Sequence, residues 1–233
     1  MKLFSLSIVI SGLFLTSCTQ WHYRVMTLRS NSPEMDSTKL FYSNDSFSIQ
    51  YDFYGTSPKN DTSVREMRMH IYNKLDKPLI IDWGQSSDII GSKTYNYLSR
   101  PNQFANIPPK TSIDHSTYIF LQTNFLTIPM KKSYKQKVMT PNSDGGDSFV
   151  ISETDYNISN TTFIFRNYLA LSYDASLNTR FYLDHQFWVS SVRDMKVNDF
   201  NGTYTNLITG NSSSTYPFLS TNCFLISYEP VDQ

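Results

Sequence analysis

Ile71-Tyr72-Asn73-Lys74-Leu75-Asp76-Lys77-Pro78-Leu79-Ile80-Ile81-Asp82-Trp83-Gly84-Gln85-Ser86-Ser87-Asp88-Ile89-Ile90 is the stretch whose reading decides the fold. Leading into it, Met67, Met69 and Ile71 alternate with Arg68, His70 and Tyr72. Successive side chains of a pleated strand leave opposite faces, so this period of two predicts a strand with one buried face. Asn73 to Pro78 then breaks the alternation with turn formers, and Pro78 has no N–H to give to a ladder. Leu79, Ile80 and Ile81 resume a β-rich apolar run that reads as ending at Asp82-Trp83-Gly84, with a turn and a further strand beyond. Strands joined by such short turns nucleate a sheet that needs a second sheet to cover its apolar face.

The same alternation recurs outward from this stretch. Phe47, Ile49, Tyr51 and Phe53 share one face of a strand, opposite Ser48, Gln50, Asp52 and Tyr54. Ile164 and Arg166 alternate with Phe163 and Phe165, and Tyr168 to Tyr173 continues that strand. Phe181, Leu183, His185, Phe187 and Val189 line one face of a long strand, and Tyr182, Asp184, Gln186 and Trp188 the other. Shorter strands are predicted at Lys39–Ser43, Lys93–Leu98 and 113–121, and a closing one at Cys223–Tyr228. Loops are predicted at 100–110, at 198–215, and through the polar middle 130–147, where Lys131, Lys132, Lys135 and Lys137 fall close together. No segment carries a helical stripe, and the aromatic residues, 15% of the chain, sit where a half-buried pleated surface accepts them. The expected fold is all-β, an immunoglobulin-like antiparallel β-sandwich with long loops. It would occupy 39–233 as one enlarged domain, with a split into two halves near 130–147 as the alternative.

The N-terminus decides the compartment. Met1-Lys2 precedes a thirteen-residue apolar run, Leu3 to Leu15. As a helix this run would be about 20 Å long, short of a hydrocarbon core of about 30 Å. It therefore reads as the core of a secretory leader, residues 1–17. Leu15-Thr16-Ser17-Cys18 looks like a bacterial lipobox, which makes Cys18 the lipidated N-terminus of the mature chain. Acyl chains, palmitate among them, each add about 0.8 kcal/mol per buried CH₂, and several together anchor a protein to a membrane. Residues 18–38 read as a tether, with part of a first strand at His22–Leu28. Thr19 is not the Asp of an inner-membrane retention signal, which favours the outer membrane. Gln20 to Val25 holds no acid, which favours the periplasmic face over surface export.

Charge and chemistry exclude several classes. Twenty basic residues balance twenty acidic ones, so no basic surface for nucleic acid is expected. With Cys18 lipidated, Cys223 has no partner for an internal disulfide and reads as a buried structural thiol. There is no His-Glu-x-x-His, Gly-x-Ser-x-Gly, Cys-x-x-Cys or phosphate-binding glycine loop. No metal, cofactor or catalytic residue is therefore assigned. Two arrangements stay open. Trp83 and Trp188 would make an aromatic platform for a sugar ring if both were exposed. Asp82, Ser86, His115 and His185 would make a hydrolase if folding brought them within hydrogen-bond reach.

Four segments carry a family resemblance: Ile71 to Trp83 with Ser86-Ser87, Ile107-Pro-Pro-Lys-Thr-Ser112, Phe165-Arg-Asn-Tyr-Leu169, and His185-Gln-Phe-Trp-Val-Ser190. They resemble a Bacteroides-type lipoprotein family of gut and oral Bacteroidetes, over most of the chain after the leader. The resemblance implies a lipobox and an immunoglobulin-like β-sandwich. It implies no activity, so Cys18 is the one functional residue it supplies. The expected role is a lipid-anchored cell-envelope protein that binds or scaffolds a protein or glycan partner without catalysis.

Overall fold

A computed structural model describes residues 22–54, 64–97, 103–120, 127–138, 147–161, 163–196 and 222–228. Among them the regular elements are all strands: β1 (His22–Ser30), β2 (Met35–Asp36), β3 (Phe41–Ser43), β4 (Phe47–Tyr54), β5 (Val64–Asn73), β6 (Leu79–Ile90), β7 (Lys93–Asn96), β8 (Phe104–Ile107), β9 (Ser112–Phe120), β10 (Lys132–Val138), β11 (Asp147–Asp155), β12 (Ile164–Ser172), β13 (Arg180–Lys196) and β14 (Cys223–Tyr228). The fold is the expected antiparallel β-sandwich. The smaller sheet has five strands in the order β2-β3-β4-β5-β9. The larger has nine, along β10-β11-β13-β12-β6-β7, with β1 and then β14 beside β13, and β8 beside β6.

The faces predicted from alternation make the core. Ile49, Tyr51, Phe53, Met67, Met69 and Ile71 of the small sheet meet Leu79, Ile81, Trp83, Phe165, Phe187 and Val189 of the large one. Phe165 stacks on Phe187 at 4.8 Å, and Tyr51 sets its edge on Phe187 at 4.9 Å from the opposite sheet. Such edge-to-face contacts suit the ring quadrupole and lock the two layers in register.

β13 organises the large sheet. Its first half pairs with β12, and its second half lies between β1 and β11. β1 follows it only as far as Ser30, opposite Phe187. There serine hydroxyls take over from the ladder: Ser30 Oγ donates to the Gln186 carbonyl at 2.7 Å, and Gln186 N–H donates to Ser32 Oγ at 2.7 Å. The chain then peels away. From Arg180 to His185, no strand among the described residues pairs with β13 on the side away from β12.

Four expectations are corrected. β6 is one strand, not two with a turn between. Ser86 Oγ donates to the Asp82 carbonyl at 2.7 Å and accepts the Ala170 N–H at 3.0 Å, so the turn formers make a bulge that the ladder crosses. The predicted loop at 100–110 contains β8, because Ile107 and Ala105 find partners in Leu79 and Ile81. The polar middle contains β10, hydrogen-bonded to β11 as an edge strand, and edge strands favour lysines because charge blocks further pairing. The stretch 18–38, read as a tether with part of a first strand at His22–Leu28, is built in further than that: the expected strand is there as β1, an inner strand with Val25, Met26 and Leu28 fully buried, and β2 follows it.

Candidate functional site

The four side chains of the hydrolase arrangement are not assembled into one group. Asp82 accepts from Arg180 Nε at 3.0 Å on the solvent-side face of the large sheet. The Ser86 hydroxyl is engaged by main chain at both its donor and acceptor sides. His115 lies between the sheets, stacked on Trp83 at 3.8 Å and 13°. His185, also between the sheets, bonds through Nδ1 to Tyr51 Oη at 2.7 Å.

His185 ends a buried polar chain that crosses the sandwich. Tyr51 Oη donates to Asn167 Oδ1 at 3.0 Å, which leaves it to accept from His185 Nδ1–H. The Asn167 amide donates its two hydrogens to Asp88 Oδ1 at 2.9 Å and to Tyr97 Oη at 2.8 Å. Tyr97 Oη donates onward to Asp88 Oδ1 at 2.7 Å, and Thr117 Oγ1 donates to Asp88 Oδ2 at 2.9 Å. Every bond points towards the Asp88 carboxylate. Burial pushes the Tyr51 and Tyr97 phenols well up, and the Asp88 charge adds to it. Burial also lowers His185 to about 4, so its imidazole is neutral at pH 7. This network is buried inside the fold and joins the two sheets through Tyr51 and Thr117.

The aromatic platform is corrected too. Trp83 is 5% exposed and follows Leu79 and Ile81 onto the core face of β6. Trp188 sits between the core residues Phe187 and Val189, so it points to the opposite, outer face. The two indoles therefore cannot share one ligand. The alternation at 79, 81 and 83 already carried that signal.

The outer face of β12 and β13 holds a different aromatic surface. Tyr168 and Tyr182, diagonal neighbours across the ladder, stack at 5.3 Å and 15°. Arg166 clasps Asp184 through both guanidinium and both carboxylate positions, with Nε to Oδ1 at 2.8 Å. The Arg180–Asp82 pair flanks the other end. Where β1 peels off, an open cleft of about 400 Å³ is lined by Asn31, Ser32, Pro33, Arg166, Asp184 and Gln186. Periodicity exposed one side of this surface, Tyr182, Asp184, Gln186 and Trp188. It could not show which β12 residues stand opposite. Among the described residues no cluster of three or more His, Cys, Asp or Glu is placed to hold a metal ion. Cys18 lies outside the described residues.

No family model matches the chain, and no curated protein matches it. Among solved structures, the X-ray structure of a Northeast Structural Genomics Consortium target, SoR45, is similar over 65% of this chain and 87% of that one. The identity is 10% and the TM-score 0.34.

Proposed function

We propose that this is a non-catalytic, lipid-anchored protein of the bacterial outer membrane, held by Cys18 on the periplasmic side, whose sandwich binds an envelope partner through the outer face of its large sheet. The anchor rests on Leu15-Thr16-Ser17-Cys18 behind the short apolar run, and the resemblance to Bacteroidetes lipoproteins supports it. The observation that carries the binding role is the outer face: a stacked tyrosine pair, a matched ion pair and an open cleft side by side, with Tyr182 50% exposed. A lone exposed aromatic is ordinary, whereas aromatics grouped with convergent polar side chains beside a cleft favour recognition. Against catalysis stands the engagement of Ser86 by main chain and of Asp82 by Arg180.

Expression of the full precursor in a Bacteroidetes host tests the anchor. Wild type is expected in the outer-membrane fraction, labelled by a palmitate analogue. Cys18→Ala is expected to lose the label and move to the soluble periplasm. A Cys18→Ala protein that still pellets with membranes would overturn the proposal. Photo-crosslinking from position 182 in the wild-type chain is expected to capture an envelope component.

A further inference from the structure

The strip on the outer face is chemically specific. Its two arginines are each matched by a carboxylate, Arg166 by Asp184 and Arg180 by Asp82, so the strip carries no net charge. Between these pairs stand the stacked rings of Tyr168 and Tyr182. In the adjoining cleft, the side-chain amides of Asn31 and Gln186 have no hydrogen-bond partner among the described residues. Each amide offers both a donor and an acceptor. The cleft volume, about 400 Å³, lies in the range of small-ligand sites.

These features select among ligands. An anion would meet guanidinium groups whose charge a carboxylate already offsets, and a cation would meet carboxylates each offset by a guanidinium, the one oxygen left without a partner, Asp82 Oδ1, being buried beneath the surface. A wholly apolar ligand would strip water from the amides and the ion pair without replacing its hydrogen bonds. A neutral polyhydroxylated ring meets every demand: one C–H face covers an aromatic ring, and its hydroxyls both give to and accept from planar amides. The geometry points to a neutral oligosaccharide, with one pyranose on the Tyr168–Tyr182 shelf and its neighbours in the cleft beside Asn31 and Gln186. This assignment rests on the envelope-binding reading and names its ligand class. The competing occupant is an extended peptide added along the unpaired side of β13 from Arg180 to His185. A peptide would bond to main chain and be insensitive to truncation of the Gln186 amide.

The full lipidated chain, in a detergent without sugar headgroups, is titrated calorimetrically with maltohexaose, cellohexaose, xylohexaose, mannohexaose and N-acetylchitohexaose, with hexagalacturonate as the charged comparator. At least one neutral hexasaccharide is expected to bind, and hexagalacturonate more weakly. Tyr182→Ala is expected to weaken binding about tenfold through loss of the stacked surface. Gln186→Ala is expected to weaken it severalfold, while Tyr134→Ala on β10 leaves it unchanged. Thermal unfolding of each variant separates lost contacts from lost fold. No heat with any neutral hexasaccharide at millimolar concentration, or binding indifferent to both Tyr182→Ala and Gln186→Ala, overturns the assignment. If the crosslink from position 182 then captures a protein, the ligand class falls and the envelope-binding reading stands.

Discussion

Asp88 and His185 show how single residues tie the layers together. Asp88 is 1% exposed and accepts hydrogen bonds from Asn167, Tyr97 and Thr117. Asp88→Ala would leave three donors buried without an acceptor, which costs about 3–5 kcal/mol by analogy with broken buried pairs. Urea unfolding at pH 7 should show that loss, whereas Asp114→Ala, at an exposed site, should stay within about 0.5 kcal/mol of wild type. His185 predicts a pH dependence. Its pKa is lowered to about 4 by burial, with Asp184 opposing, against about 6.5 in the unfolded chain. Between these values the unfolded state binds a proton that the native state refuses. The contribution is therefore fully present above pH 6.5 and lost as pH falls towards 4, by about 3 kcal/mol in all. Asp36, lowered to about 2 mainly by the Lys39 and Thr38 N–H and hydroxyl donors, acts only below its ordinary 3.8 and stays out of that window. His185→Phe, measured at pH 7 and pH 4.5, should show a much smaller loss on acidification than wild type. An equal loss in both would assign the effect elsewhere. The sequence placed His185 on the face of Phe187 but was silent on its partner, because Tyr51 lies 134 residues away and nothing local specifies which polar groups meet across a sandwich.

At the scale of elements, the turn after β5 was legible and the bulge inside β6 was not, for one physical reason. Asn73 is a residue that bonds local backbone, and it does so here. Its Oδ1 accepts the Leu75 N–H at 3.0 Å, and its amide donates to the carbonyls of Lys77 at 2.8 Å and Ile107 at 3.0 Å. The last bond pins the turn to β8, which makes Asn73 more than a turn former. Asn73→Ala should cost about 2–4 kcal/mol, since it leaves buried carbonyls unpaired. Asn73→Asp should cost at least as much, because it turns a donor into an acceptor against those same oxygens. Both are read from the urea midpoint at constant slope. Gly84, Ser86 and Ser87 have the same local character, yet β12 pairs with β6 both before and after them and Ser86 Oγ is bonded to main chain, which turns a break into a bulge. Gly91 at φ 59° begins the two-residue turn from Ile90 to Lys93, as Gly91-Ser92 predicts. Gly91→Ala forces a Cβ into the left-handed region and should cost about 1–2 kcal/mol. β8 and β10 escaped the sequence reading because edge strands need only one apolar face or none, and prolines and lysines mask them.

For the whole molecule, the decisive difference between sequence and structure concerns where the folded body begins. Trp21 to Thr38 is polar and contains Pro33, which reads as a spacer behind the lipid with part of a first strand at His22–Leu28. The structure pairs all of His22–Ser30 with β13 and His22–Thr27 with β14 as well, with Arg24 Nε on Asp194 at 2.8 Å across the ladder. Met26 and Leu28 complete the core, and Arg24, two residues before Met26 along the strand, is buried against Asp194. If Cys18 carries lipid, the four steps to His22 reach at most about 14 Å, so the sandwich rides close to the membrane surface. Limited proteolysis separates the two pictures. Trypsin cuts after arginine, and both Arg24 and Arg29 lie in β1. In a free spacer they would be the earliest sites, because an extended, solvated chain fits a protease without rearrangement. Cleavage at Arg24 requires β1 to leave both β13 and β14, and cleavage at Arg29 requires it to leave β13; either exposes the buried Met26 and Leu28, an opening close to global unfolding. Native digestion should therefore leave the 22–30 segment intact while exposed lysines are cut. Cleavage at Arg24 or Arg29 should appear only as urea approaches the unfolding midpoint. A chain started at residue 31 should lack a cooperative transition, and one started at residue 20 should unfold like the full protein. Early cleavage at Arg29 with the transition intact would return this segment to the role of a spacer and leave β13 with one fewer partner.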